Sequence, residues 1–108
     1  MNTDNTKPLF IPLCREWYER FASGEKTTEF RAYGPRWNER VCVPGRRVTL
    51  SCGYGKKRRG CGRIKDVRKI REFQLPETEW LFFEEKLKSR ITRTAFLAIT
   101  IEIKNPAK

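Results

Sequence analysis

Gly24-Glu25-Lys26-Thr27-Thr28-Glu29-Phe30-Arg31 is the stretch on which the reading of this chain turns. It holds a glycine, a lysine, a glutamate and an arginine where a helical pattern gives way to a strand pattern. Upstream, Leu13, Trp17 and Phe21 recur at helical spacing, and Glu16 and Arg20 add a favourable i, i+4 pair on the outer face. Gly24 stands where such a helix stops, because glycine accepts the left-handed conformation that ends a helix. From Lys26 to Arg31 the chain is Thr-rich and alternates, which predicts a strand. Strict alternation puts Thr27, Glu29 and Arg31 on one face and Thr28 and Phe30 on the other. Taking Phe30 as core turns Glu29 and Arg31 away from it. Lys26, at the strand entrance, can serve either side. A helix-to-strand junction of this kind presents charged groups into a shared cleft.

Outward from the junction, Leu9 to Leu13 reads as a short apolar strand. Ala32 to Gly45 is a long loop with turn signals at Gly34-Pro35 and Pro44-Gly45, and a loop of this length in a small domain is usually functional. Arg46 to Cys52 alternates as a strand, with Val48 and Leu50 apolar. Gly53 to Gly60 is a hairpin-like connection, and Cys61 to Ile70 a strand with Ile64 inward. Pro76 to Ile91 reads as a second helix. Its first turn carries Glu77 and Glu79 and its last Lys86, Lys88 and Arg90, in keeping with the helix dipole. Trp80, Phe83, Leu87 and Ile91 form its core stripe, and Glu77, Glu79, Glu84 and Glu85 are assigned to its solvent side. Phe96 to Ile103 alternates cleanly, with Leu97, Ile99, Ile101 and Ile103 on one face. Many short strands with two helices predict an α+β fold whose sheet curls into a small barrel.

Composition bounds the function. The 108 residues suffice for one domain with a modest core. Twenty-four Lys and Arg against thirteen Asp and Glu give a net charge of +11, which favours polyanionic partners. The first seven residues are polar and lack the apolar core of a secretory signal. The longest apolar-rich run, from Ala95 to Ile103, is too short and interrupted to span a bilayer. A cytoplasmic monomer without a membrane is the expectation. Cys14, Cys42, Cys52 and Cys61 form no C-x-x-C pair and the chain has no histidine, so neither a metal site nor any other cofactor is expected and the thiols read as free. The lack of histidine also removes the usual general base.

At this point Gly24-x-Lys26-x-x-Glu29-x-Arg31 resembles the G-x-K-x-x-E-x-R signature of the ASCH domain, a branch of the PUA-like superfamily. The setting is similar too: the motif follows a helix carrying Glu16-Trp17 and precedes a loop closed by Gly45. The chain resembles the small stand-alone ASCH proteins of bacteria and phages from about Leu9 to Ile103. The resemblance implies a PUA-like β-barrel of about five to six mostly antiparallel strands with two flanking helices, over residues 8–104. Short tails would lie at 1–7, expected to be flexible, and at 105–108. It also implies RNA or modified nucleosides as ligands. Some small relatives are amidohydrolases acting on N4-acetylcytidine, and one is described as a ribonuclease. Lys26 corresponds to the lysine those amidohydrolases use. They carry threonine three residues later, where this chain has Glu29, with Thr27 and Thr28 alongside.

Three constellations follow. In the first, Lys26 is the leading candidate, as a base or as the activator of a hydroxyl such as that of Thr28. A cleft shared with Arg31 disfavours its charge, whereas a nearby Glu29 favours it. The alternatives are a catalytic set of Lys26, Thr28 and Glu29, and a structural or ligand-clamping ion pair. Glu29 and Arg31 can bond each other, accept a base amine or hold a phosphate in a forked geometry. In the second, Tyr33, Arg36, Trp37 and Arg40 interleave rings and guanidinium groups on the long loop, as suits an unstacked base and its phosphates. The competing reading has Trp37 capping the core. The third is a basic edge of Lys56, Lys57, Arg58, Arg59, Arg63, Lys65, Arg68, Lys69 and Arg71, with Tyr54 at its base as a stacking platform. Such an edge tracks phosphates or only discourages strand pairing. RNA is the expected partner, with DNA or a modified nucleoside next. A same-fold enzyme and a phage-encoded protein–protein adaptor are the rival readings.

Overall fold

The computed structural model describes residues 7–81 and 95–105. Five strands carry the fold: β1 (Leu9–Leu13), β2 (Thr28–Ala32), β3 (Arg47–Cys52), β4 (Arg59–Ile70) and β5 (Phe96–Asn105). They form one mixed sheet in the order β1-β3-β4-β5-β2. β1 runs parallel to β3, and the other three pairings are antiparallel. The sheet curls into a half-barrel, an α+β architecture. Its outer strands, β1 and β2, are not paired to each other, and they border an open seam.

Helix α1 (Arg15–Ser23) follows β1. It buries Trp17 and Phe21, of the stripe expected from the sequence, and Tyr18 in addition. Gly24 ends it at φ 85°, its N–H donating to the Phe21 carbonyl at 3.1 Å. That dihedral is left-handed, and a Cβ there would add strain.

The sheet has two apolar faces. Ile11, Leu13, Val48, Leu50, Ile64, Leu97, Ile99 and Ile101 pack on α1 as the main core. Behind β2, β5 and the end of β4, a second cluster joins Ile70, Leu75, Phe96 and Ala98, with Phe30, Ala32 and Trp80 against it. A short 3₁₀ turn (Glu72–Gln74) leads to α2, which is helical from residue 77 to 81, the last residue described there. The expected stripe residues Phe83, Leu87 and Ile91, the basic last turn and the pair Glu84 and Glu85 lie outside the described residues. So do all or most of the two expected tails.

β4 begins at Arg59, two residues earlier than its sequence pattern indicates. It carries register shifts between Cys61 and Gly62 and between Ile64 and Asp66. Bulges of this kind increase local twist and help a sheet curl. No described helix is long and apolar enough to cross a membrane.

Candidate ligand cleft at the barrel seam

Lys26, Glu29 and Arg31 of the G-x-K-x-x-E-x-R stretch line cavities at the seam, whereas Gly24 does not. Glu29 pairs in register with Ile99, and Phe30 with Ala98. Ile99 belongs to the main core and Ala98 to the second cluster, so the β2 side chains divide accordingly. Glu29 therefore points inward and is 4% exposed. Phe30 points to the opposite face, half-buried. The two faces divide as alternation indicates, with Phe30 against an apolar cluster, but the face that carries Glu29 is the main core and not an open one. An aromatic residue marks the interior only when a sheet has one apolar face, and here both faces are covered along β2.

Arg31 bridges the seam. Its Nε donates to Glu29 Oε2 at 2.7 Å and a terminal nitrogen donates to the Pro12 carbonyl at 2.6 Å, from β2 across to β1. Its guanidinium lies 4.7 Å from the Trp37 ring centroid. Trp37, half-buried against the main core, roofs this arginine.

Lys26 is held from three sides. Its ammonium bonds Glu79 and stands 4.0 Å from Glu29 Oε1. It lies over the rings of Trp17, Phe30 and Phe21 at 4.9, 5.4 and 5.7 Å. Glu79, assigned from the sequence to the solvent side of α2, is buried at 4% exposure, while Glu77 is exposed as expected. A solvent face read from a helical stripe fails at the stripe's border. Glu79 precedes Phe83 by four positions in the sequence, and that spacing was the signal available.

Two carboxylates thus flank one ammonium in a largely dry setting. Burial raises the Glu29 carboxyl above its usual range; Arg31 and Lys26 pull it down, and Glu79 adds to the rise. Glu29 Oε1 is buried and makes no hydrogen bond to the described residues. A buried carboxyl oxygen without a hydrogen bond is costly unless a nearby charge such as Lys26 offsets it, it holds a proton, or it meets a ligand donor.

Two cavities meet here. One of about 120 Å³ is lined by Pro12, Leu13, Cys14, Trp17, Glu29, Phe30, Arg31 and Glu79. The other, of about 320 Å³, is lined by Trp17, Arg20, Glu25, Lys26, Thr27, Thr28, Phe30, Pro76, Thr78 and Glu79. The larger lies at the low end of small-molecule sites, which span roughly 300–1,000 Å³. Thr28 lines it, its hydroxyl 3.3 Å from that of Thr100.

The remaining candidates separate. Tyr33 donates to Glu39, which raises its hydroxyl pKa, and Lys69 sits 4.2 Å from its ring centroid. Arg36 and Arg40 are exposed. The basic residues after Gly53 do not make one edge. Arg58 turns back to α1, bonding Glu19 at 3.1 Å and lying over Tyr18. Arg59 lies over Phe10 at 5.2 Å and donates to the Gly55 carbonyl. Arg63 donates to the Gly45 carbonyl at 2.8 Å. Lys56, Lys57, Lys65 and Arg68 are exposed, as is Arg71 beyond the strand. The strand's alternation and its bulge at Lys65 are what scatter these charges.

No protein-family model matches the sequence, and no curated protein does. Solved structures do. The crystal structure of the hypothetical protein PH0355 superposes with a TM-score of 0.69 at 18% identity, over 91% of this chain and 100% of that one. The crystal structure of ASCH from Zymomonas mobilis gives 0.62 at 17% identity, over 90% of this chain and 68% of that one. The solution structure of PF0455 from Pyrococcus furiosus gives 0.59 at 18% identity, over 90% and 97%. The chain has an ASCH-type fold. At such identities the likeness defines the fold alone.

Proposed function

We propose that the protein binds RNA and takes a base, plain or modified, into the seam cleft at Lys26, Glu29 and Arg31. The observation that carries this reading is Glu29. One of its oxygens is engaged by Arg31, and the other is buried beside a cavity with no hydrogen bond among the described residues, the Lys26 ammonium standing 4.0 Å away. A base amine or ring N–H satisfies that oxygen while the carboxylate is ionised, and a base carbonyl does so when Glu29 carries a proton. The net charge of +11 supplies attraction to phosphates. Titrating labelled single-stranded RNA against the protein over a range of salt tests the reading. The expected result is a log–log slope of about −0.7 per neutralised phosphate. A flat slope, or no binding at low salt, contradicts it.

A second reading is an enzyme of the same fold, acting on N4-acetylcytidine or cleaving RNA. The observation favouring it is an ammonium set between two buried carboxylates, one of them with a raised pKa. Such a set suits proton transfer. Incubation of pure protein with N4-acetylcytidine and with labelled RNA decides it. Turnover by the wild type that Lys26→Ala abolishes, with that variant shown to be folded, establishes the enzyme. No turnover of either substrate removes it.

A further inference from the structure

The sheet face behind β1, β3 and the first half of β4 is turned away from α1 and lies beyond the second apolar cluster. Cross-strand register assigns it: Phe10 pairs with Thr49, Thr49 with Cys61, and Arg47 with Arg63. Arg47 and Arg63 thus stand directly opposite each other on this face, with Arg63 also donating to the Gly45 carbonyl at 2.8 Å. Glu102 of β5 is in register with Arg63. Between the strands lies a concavity of about 250 Å³ lined by Pro8, Arg47, Thr49, Cys61 and Arg63 among others.

An aromatic platform adjoins it. Tyr54, 80% exposed in the β3–β4 connection, meets the Phe10 ring at 6.0 Å between centroids and 38° between planes. Arg59 lies over the same Phe10 ring, and its bond to the Gly55 carbonyl fixes it there. Rings and guanidinium planes presented beside a basic concavity are what single-stranded polynucleotides bind: bases stack, and arginines hold the phosphates.

We propose that this outer face, separate from the seam, is a second contact surface for a single-stranded nucleic acid, with a base stacked at Tyr54 and Arg59 and a phosphate between Arg47 and Arg63. The proposal rests on the reading that the protein binds nucleic acid. It adds that the strand is held on two sides of the sheet, so that a base in the seam is chosen from a strand already bound.

Two exposed thiols separate the surfaces. Cys61 sits on the outer face, and Cys14 lines the smaller seam cavity. Alkylation of each is followed by mass spectrometry with and without saturating oligouridylate, and in a parallel arm oligothymidylate, which distinguishes an RNA from a DNA occupant. Affinity is measured for Tyr54→Ala and Arg59→Gln. The expected result is protection of Cys61, with each variant binding roughly ten-fold more weakly, within the range for losing one stacking partner. Arg47→Gln should also flatten the salt slope by about one phosphate contact. Cys61 reacting unchanged at saturation, or variants binding as the wild type, overturns the proposal. If Cys14 alone is protected, the seam reading stands and the outer face falls. If Cys61 alone is protected, the outer face stands and the seam is not a nucleic-acid contact.

Discussion

Lys26 and Glu79 form a buried ion pair that ties the start of β2 to the first turn of α2, with side chains 10% and 6% exposed. The residues are 53 positions apart, and the pair bridges the two ends of the candidate cleft wall.

Removing one partner leaves charge buried without its counter-ion, a change that costs about 3–5 kcal/mol in buried pairs. Lys26→Met should therefore destabilise the fold by about 3 kcal/mol in urea unfolding, since it strands two carboxylates. Lys26→Met with Glu79→Leu should recover most of that loss. Additive losses in the double variant would show that the two groups do not depend on each other.

The pH response of Glu29 has a definite sign. Burial raises its carboxyl in the folded protein, whereas the unfolded chain titrates near about 4.3. Between those two values the folded state binds more protons, so stability falls as pH rises through the window. The stabilising contribution is complete below the unfolded value and gone above the folded one. Glu29→Gln does not titrate there. Urea midpoints of both proteins, measured from acid to neutral pH, should show the wild type losing ground to Glu29→Gln as pH rises. Parallel curves would contradict this.

Much of the architecture was legible in the sequence because it rests on local periodicity. Trp17 and Phe21 gave α1, Gly24 its end, and the alternation of Leu97, Ile99 and Ile101 the last strand. The ASCH-like motif gave the fold type. What was not legible depends on layers. Whether Phe30 or Glu29 faces the interior turns on a second apolar cluster built by Leu75, Phe96 and Trp80, distant in sequence. Glu79 shows the same dependence: its partner Lys26 is 53 positions away, and the helical stripe alone does not link the two. The basic residues from Lys56 to Arg71 read as one edge because charge was counted along the chain. Strand alternation and the shift between Ile64 and Asp66 decide which way each points.

At Gly62 the β4 backbone lies tight against β5. A Cβ there would stand 2.3 Å from the Glu102 carbonyl oxygen, a backbone atom that can move only with its strand. Gly62→Ala should cost about 1–3 kcal/mol, the range for overpacking a core, read as a lower urea midpoint. An unchanged midpoint would mean that the bulge relaxes freely.

The thiols should react in order of access. Cys14 and Cys61 are exposed, Cys52 is half-buried, and Cys42 is fully buried with its pKa pushed up to about 11 by burial. The thiolate is the nucleophile, so native protein at mildly alkaline pH should alkylate at Cys14 and Cys61 first and at Cys42 last. Early labelling of Cys42 would show that the β3 side of the core opens.

The central claim is that Glu29 meets a ligand group in the seam. Equilibrium binding of one single-stranded RNA to wild type and to Glu29→Gln, at matched salt and pH, tests it most directly. A hydrogen bond to a charged group contributes about 1.5–3 kcal/mol, so Glu29→Gln should bind roughly ten-fold or more weakly. Its salt slope should not change, because no phosphate contact is lost. Equal affinity of the two proteins, with Glu29→Gln fully folded, would contradict the account.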